Sequence, residues 1–180
     1  MIHGEEFKME KSYDVAISFA MENEKLADTV YHYLKAEGLS VFFAPECQNV
    51  LSGENQREIF YRIFGMESRY VILLVSKYYI TKEVPMEEAR ISFSKHAEDA
   101  SVIAIYLDGT ELPGELLDNK KQNYFSSDNA AEIASHVASK VNKLEKKENK
   151  KDDSNLGSIM KNEKNVAETQ IIIQNYNGVK

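Results

Sequence analysis

Tyr70 to Val75, YVILLV, is apolar at every position. A short, unbroken apolar run of this kind predicts a strand covered on both faces, and so a central strand of a parallel sheet. YDVAISFA at 13–20 and VIAIYL at 102–107 have the same character, and LSVFF at 39–43 reads as a further strand. Helical patterns separate them. In MENEKLADTVYHYLKAEG, Leu26, Val30, Tyr33 and Leu34 recur at helical spacing, with Asn23 as N-cap and Gly38 as the stop. Ile59, Phe60, Ile63 and Phe64 mark a second helix ending near Gly65, and a third is expected from Met86 to about Ala97. A short strand is expected near Gln122 to Phe125. A last helix follows, capped by Ser126 or Ser127, with Ile133, Val137, Val141 and Leu144 on one stripe.

Strands alternating with helices imply a parallel sheet with right-handed crossovers. The expected fold is α/β, a flavodoxin-like doubly wound five-stranded parallel sheet of order 2-1-3-4-5 with helices on both faces. Such sheets bind ligands beyond the carboxyl ends of their strands, where the loops after Ala20, Phe43, Val75 and Leu107 gather. The segment Ala44 to Gly53, with Pro45, Asn49, Ser52 and Gly53, has no periodicity and reads as a long loop of the kind that carries function.

The composition excludes several function classes. A formal charge of −7 argues against a nucleic-acid groove, which needs a basic footprint. The single cysteine, Cys47, rules out an intrachain disulfide and fits a reducing compartment. No stretch approaches the roughly 18 apolar residues of a membrane span, and the N-terminus lacks a signal-peptide pattern, so a cytoplasmic, soluble protein with no membrane partner is expected. The glycines form neither GxGxxG nor GxxxxGK[ST], which removes the usual phosphate-binding loops. His3, His32, His96 and His136 are scattered without zinc-ligand spacing, and no metal is expected. A phosphoacceptor receiver domain shares the expected fold, but it needs an Asp at the end of the third strand, where this chain has Leu74, Val75 and Ser76.

Several segments together carry a family resemblance. YDVAISFA followed by an acidic amphipathic helix resembles the opening of bacterial TIR (Toll/interleukin-1 receptor) domains. FFAPECQNVLSGEN resembles their BB loop and keeps a Leu-x-Gly step at Leu51 and Gly53. YVILLVSKYY resembles their third strand with its Ser-Lys-x-Tyr continuation, and LDGTELPG, from Leu107 to Gly114, resembles the stretch after the fourth. The resemblance spans residues 12–146. Beyond it, 147–165 is a charge-dense linker, and 166–180, with Ile171 to Ile173 and Asn177-Gly178, is a β-prone tail. That tail suits either the start of a further sensor or effector element or strand addition to another copy.

Many members of this family cleave NAD at the nicotinamide–ribose bond, using a Glu in a Trp-x-x-x-Glu pattern on the helix after the third strand. The resemblance places that Glu on Glu88 and the Trp on Val84, a departure from the family. Glu87 is the alternative if the register differs by one residue. A Glu pair near a helix start also suits the macrodipole without any catalytic role. The resemblance further implies substrate contacts at Phe19, Ala20 and Met21, at Glu46 in the BB loop, and at Tyr78 and Tyr79, which can stack on a ring in place of the missing Trp. Each has a plain alternative as core or solvated loop. NAD is then a substrate and no cofactor is implied.

The resemblance therefore implies an NAD glycohydrolase yielding ADP-ribose or a cyclised product, in antiphage defence or immune signalling, active in TIR–TIR assemblies. Val84 in place of Trp keeps open a non-catalytic adaptor acting through homotypic contacts. A deoxyribosyltransferase-like enzyme also uses a lone Glu, but the TELPG and BB-loop segments do not point there.

Overall fold

The computed structural model describes residues 11–53, 55–96, 100–117 and 123–143. The strands are β1 (Tyr13–Phe19), β2 (Val41–Phe42), β3 (Ser68–Val75), β4 (Val102–Tyr106) and β5 (Asn123–Ser126). The helices are α1 (Glu24–Ala36), a single turn α2 (Gln48–Leu51), α3 (Gln56–Arg62), α4 (Glu83–Lys95), another single turn α5 (Gly114–Leu117), and α6 over residues 130–143. All five strands run parallel in the order β2-β1-β3-β4-β5, the expected topology.

β3 lies between β1 and β4, with Ser18 level with Leu73 and Val75 level with Tyr106. Its apolar run follows from that position. Ala16, Val71, Leu73 and Val75 share a core with Ile59, Ile63 and Phe64 of the second helical segment and with Met86, Ala89 and Phe93 of α4. Residues of opposite parity, Val15, Ile17, Ile72, Leu74, Ile103 and Ile105, are buried as well, so both faces of the sheet are covered. The edge strand β2 pairs through only Val41 and Phe42, shorter than the expected 39–43, as edge strands often are.

The helix ends show which local signals decide. After α1, Gly38 takes φ +84°, its N–H reaches the Lys35 carbonyl (3.0 Å), and the Leu39 N–H reaches that of Leu34 (3.2 Å). This is a Schellman close, with Leu34 and Leu39 both buried. Asn23 does sit before α1, but its side chain makes no capping bond. Neither expected serine caps α6. Asn129 does, accepting from the N–H groups of Ala131 (2.9 Å) and Glu132 (3.2 Å), while the Ser127 hydroxyl donates to the Glu132 carboxylate.

Gly65 does not stop a helix. It lies in a π-helical turn, Ile63–Glu67, where an added Cβ would stand 3.1 Å from Lys95 Cγ of α4. The expected loop 44–53 holds a 3-10 turn, Ala44–Glu46, followed by α2. Helix α4 starts at Glu83, ahead of the expected Met86. It includes Pro85 in its first turn, where the missing N–H has no intrahelical acceptor to lose.

The chain divides into two compact units, Met1–Ser139 and Lys140–Lys180, and the described part of the second is residues 140–143, the end of α6. Ala97, Gln122 and Leu144, with the linker 147–165 and the tail 166–180, lie outside the described residues. Among the described residues no helix is long and apolar enough to cross a membrane.

Candidate active site

The carboxyl ends of β1 and β3 and the first turns of α4 converge on Glu88. Ser18 shares a strand face with Ala16 and Ala20, and both alanines pack in the core that holds Met86 and Ala89 of α4. The small alanine side chains leave α4 room to approach β1. A lone hydroxyl on that face then needs a polar partner, because burying it unbonded is costly. The Ser18 hydroxyl is 2.5 Å from Oε2 of Glu88 and 2.7 Å from the Tyr79 hydroxyl, which also bonds the Pro85 carbonyl at 2.9 Å.

The turn after β3 presents Tyr79 to this network. Ser76 Oγ donates to Asn23 Oδ1 (2.7 Å) and accepts the Tyr79 N–H (3.3 Å), so Asn23 ties two loops together instead of capping α1. Asp108, after β4, accepts the N–H groups of Lys77 (3.0 Å) and Thr110 (3.1 Å), and those bonds hold its carboxyl below the usual carboxylate range.

Glu88 is buried and borders a cleft of about 690 Å³ at this edge of the sheet. Phe19 and Met21 line it from the end of β1, and Ala44, Pro45, Gln48, Leu51 and Ser52 from the long loop. Gln56, Phe60 and Phe64 close another side, and Lys82, Glu83, Val84 and Pro85 the last. Lys82 Nζ, on the cleft lining, pairs with Glu22 at 2.9 Å. Burial pushes the Glu88 carboxyl up to about 8, opposed in part by the Ser18 hydroxyl. The Tyr79 hydroxyl is raised well above its usual value, first by burial and then by the neighbouring Glu88 charge.

The expected site residues separate into two groups. Phe19, Met21, Val84 and Glu88 line the cleft together. Val84 and Glu88, one helical turn apart, fall on the same side of α4. Glu87 does not line it. Its carboxylate is held by the Arg57 guanidinium of α3 at 2.9 and 3.3 Å.

Ala20 is buried away from the cleft lining, and Glu46 is an exposed carboxylate on the 3-10 turn, also outside it. Tyr78 is exposed, lies outside the cleft lining and sits under the Lys77 ammonium at 5.1 Å. Tyr79 is fully buried, so the expectation that it stacks on a ligand ring is corrected: its ring packs in the core and its hydroxyl bonds Ser18 and Pro85.

Sequence reasoning missed Ser18, Gln48, Ser52, Gln56 and Lys82. Ser18 carried a readable signal, a hydroxyl within the apolar stretch Val15 to Phe19.

The described histidines, His32, His96 and His136, do not line the cleft. His96 bonds the Phe64 carbonyl at 3.0 Å, His136 stacks on Phe125 at 4.3 Å, and His32 pairs with Asp28 at 3.4 Å. Among the described residues no group of three or more His, Cys, Asp and Glu is placed to hold a metal ion.

With this geometry in view, residues 15–138 match the family model described as TIR domain. The chain is 32% identical over 136 residues to the 3′ cyclic ADP-D-ribose synthase AaTIR of Aquimarina amphilecti, an alignment covering 73% of this chain and 40% of that protein. The matched part thus spans about two fifths of that relative's length. Among solved structures, it is similar to the TIR domain of the Toll-related receptor TRR-2 from Hydra magnipapillata, with a TM-score of 0.52 and 19% identity over 63% of this chain and 84% of that one. It is also similar to a metazoan TIR-STING receptor from C. gigas, with a TM-score of 0.55 and 19% identity over 71% and 40%. At these identities the two structures speak for the fold alone.

Proposed function

The chain belongs to the TIR domain family, and from that premise we propose that it cleaves nicotinamide dinucleotide between nicotinamide and ribose, with Glu88 as the catalytic carboxylate. The observation that carries the reading is one carboxyl, Glu88, that alone among the described cleft-lining acids is buried, in an otherwise largely apolar cleft at the ligand-binding edge of a doubly wound sheet.

One carboxylate suffices for this bond. Glycosidases acting on ordinary sugars need an acid for the leaving oxygen as well as a base or nucleophile. Nicotinamide departs as a neutral molecule from a cationic pyridinium, so no proton has to be delivered. Positive charge develops at the ribosyl carbon, and a fixed carboxylate stabilises it while holding the ribose hydroxyls. Phe19, Met21 and Val84 offer apolar surface for the ring, and Lys82 brings a cation to the rim. Capture of the ribosyl carbon by water gives ADP-ribose, and capture by a hydroxyl of the same molecule gives a cyclic product of the type named for the Aquimarina relative. The reading includes homotypic assembly, a cytoplasmic setting, a role in antiphage defence or immune signalling, and a partner element joined through the tail.

A second reading, a non-catalytic adaptor, is favoured by Val84 where the family has Trp. Val84 and Met21 are 48% and 73% exposed, an apolar rim suited to a protein contact.

Nicotinamide release by the purified chain, dilute and concentrated, separates the two. Release that Glu88→Ala lowers by about a hundredfold or more and Glu87→Ala retains supports the enzyme. No release at any concentration, from folded protein that self-associates, supports the adaptor.

A further inference from the structure

Four oxygens run in a row: the Glu88 carboxyl, the Ser18 hydroxyl, the Tyr79 hydroxyl and the Pro85 carbonyl. The three separations are 2.5, 2.7 and 2.9 Å, all hydrogen-bond distances. Each link needs one hydrogen. Serine and tyrosine bring one apiece and the carbonyl brings none.

An ionised Glu88 therefore leaves three links with two hydrogens. If Ser18 donates to Glu88 and Tyr79 to Pro85, two hydroxyl oxygens face each other at 2.7 Å with no proton between them. If Tyr79 turns to Ser18, the 2.9 Å link to the Pro85 carbonyl is left without a hydrogen, and that carbonyl keeps only its donor within α4. One proton on Glu88 fills every link, running from Glu88 to Ser18, from Ser18 to Tyr79, and from Tyr79 to the carbonyl.

We propose that Glu88 rests as a neutral carboxylic acid donating to Ser18, and that Ser18 and Tyr79 are positioning residues that set its protonation by reversing the direction of their hydrogen bonds when it ionises. The same carboxyl is pushed up independently by its burial.

The surroundings offer little compensating charge. Tyr79 comes from the β3–α4 turn. On the cleft rim stand Glu24 of α1 and Lys82 and Glu83 at the start of α4, with Lys82 engaged by Glu22. From α3, Arg57 is engaged by Glu87, and in the π-helical turn Glu67 is paired with Arg62 at 3.1 Å. Glu115 of α5 is exposed.

The resting protonation stands on this geometry, and its use in turnover rests on the reading of Glu88 as the catalytic carboxylate. A cationic pyridinium beside Glu88 favours the carboxylate. Binding then expels one proton to the buffer, and Ser18 turns its hydrogen from Tyr79 to Glu88.

The test is a titration of the Glu88 side-chain carboxyl by carbon NMR in the full chain without substrate, the signal assigned by its loss in Glu88→Gln. The wild-type midpoint is expected near 8. Tyr79→Phe lets Ser18 donate to the carboxylate at no loss elsewhere, and lowers proton affinity by about tenfold. Ser18→Ala removes the charge-assisted donor and raises it. Opposed shifts support the relay. A wild-type midpoint in the ordinary carboxylate range, shifts of the same sign, or no shift in either variant overturns it, because a purely structural role gives no such opposition. Opposed shifts without nicotinamide release leave the relay standing and remove only the catalytic reading.

Discussion

Ser18 on β1 and Glu88 on α4 meet at 2.5 Å with 70 residues of chain between them. The contact needs the crossovers that bring β3 beside β1 and lay α4 against them, and it forms where the small residues Ala16 and Ala20 let the helix come close. It supplies the carboxyl's polar partner in a setting that otherwise disfavours charge, and the following expectations depend on it.

Glu88→Ala should lower nicotinamide release by about 10²–10³-fold, the usual loss when a fixed charge-stabilising group is removed. Glu87→Ala breaks only the partly exposed pair with Arg57, so it should retain release and cost less than about 1 kcal/mol in a denaturant titration.

The carboxylate is the working form, so kcat/KM should rise with pH and level off above about 8. A profile already flat from pH 6 upward would count against Glu88 as the essential carboxylate.

Stability should run the other way. Burial raises the Glu88 pKa from the usual 4.5 to about 8, so the folded state holds a proton that the unfolded chain gives up. The stabilisation is full below the unfolded value and is lost as pH rises from there through about 8. Glu88→Gln keeps a donor toward Ser18 without a charge. Its Tm should exceed the wild-type value by several degrees near pH 9, reflecting roughly a few kcal/mol, and the two should converge near pH 4.5.

Val84→Trp restores an aromatic at the cleft rim, at a position already 48% exposed. A ring contact contributes about 0.5–1.5 kcal/mol, which predicts a KM for the dinucleotide lower by roughly 2–10-fold with little change in Tm. An unchanged KM would show that the ring does not reach this position.

Gly38→Ala should destabilise the chain by about 1 kcal/mol, read as a Tm loss of a few degrees. The space is open, and the cost is the φ of +84° that the Schellman close requires.

Local pattern determined where the strands lie, the central character of YVILLV, the two-sided burial and the Gly38 stop, because each follows from neighbours a few residues apart; the strand order was expected from the alternation of strands with helices and the doubly wound precedent, and the sheet has it. The family resemblance placed Glu88, Val84, Phe19 and Met21, and the cleft brings those four together. Only the tertiary structure decided that Glu88 faces the cleft while Glu87 is held by Arg57, that Tyr79 is a buried hydrogen-bond partner, that Asn23 serves Ser76, and that Asn129 caps the last helix. Those outcomes depend on which side chains arrive at the same point after the crossovers close. The hydrogen count along Glu88, Ser18, Tyr79 and Pro85 exists only when three separate stretches of chain are packed within hydrogen-bond distance.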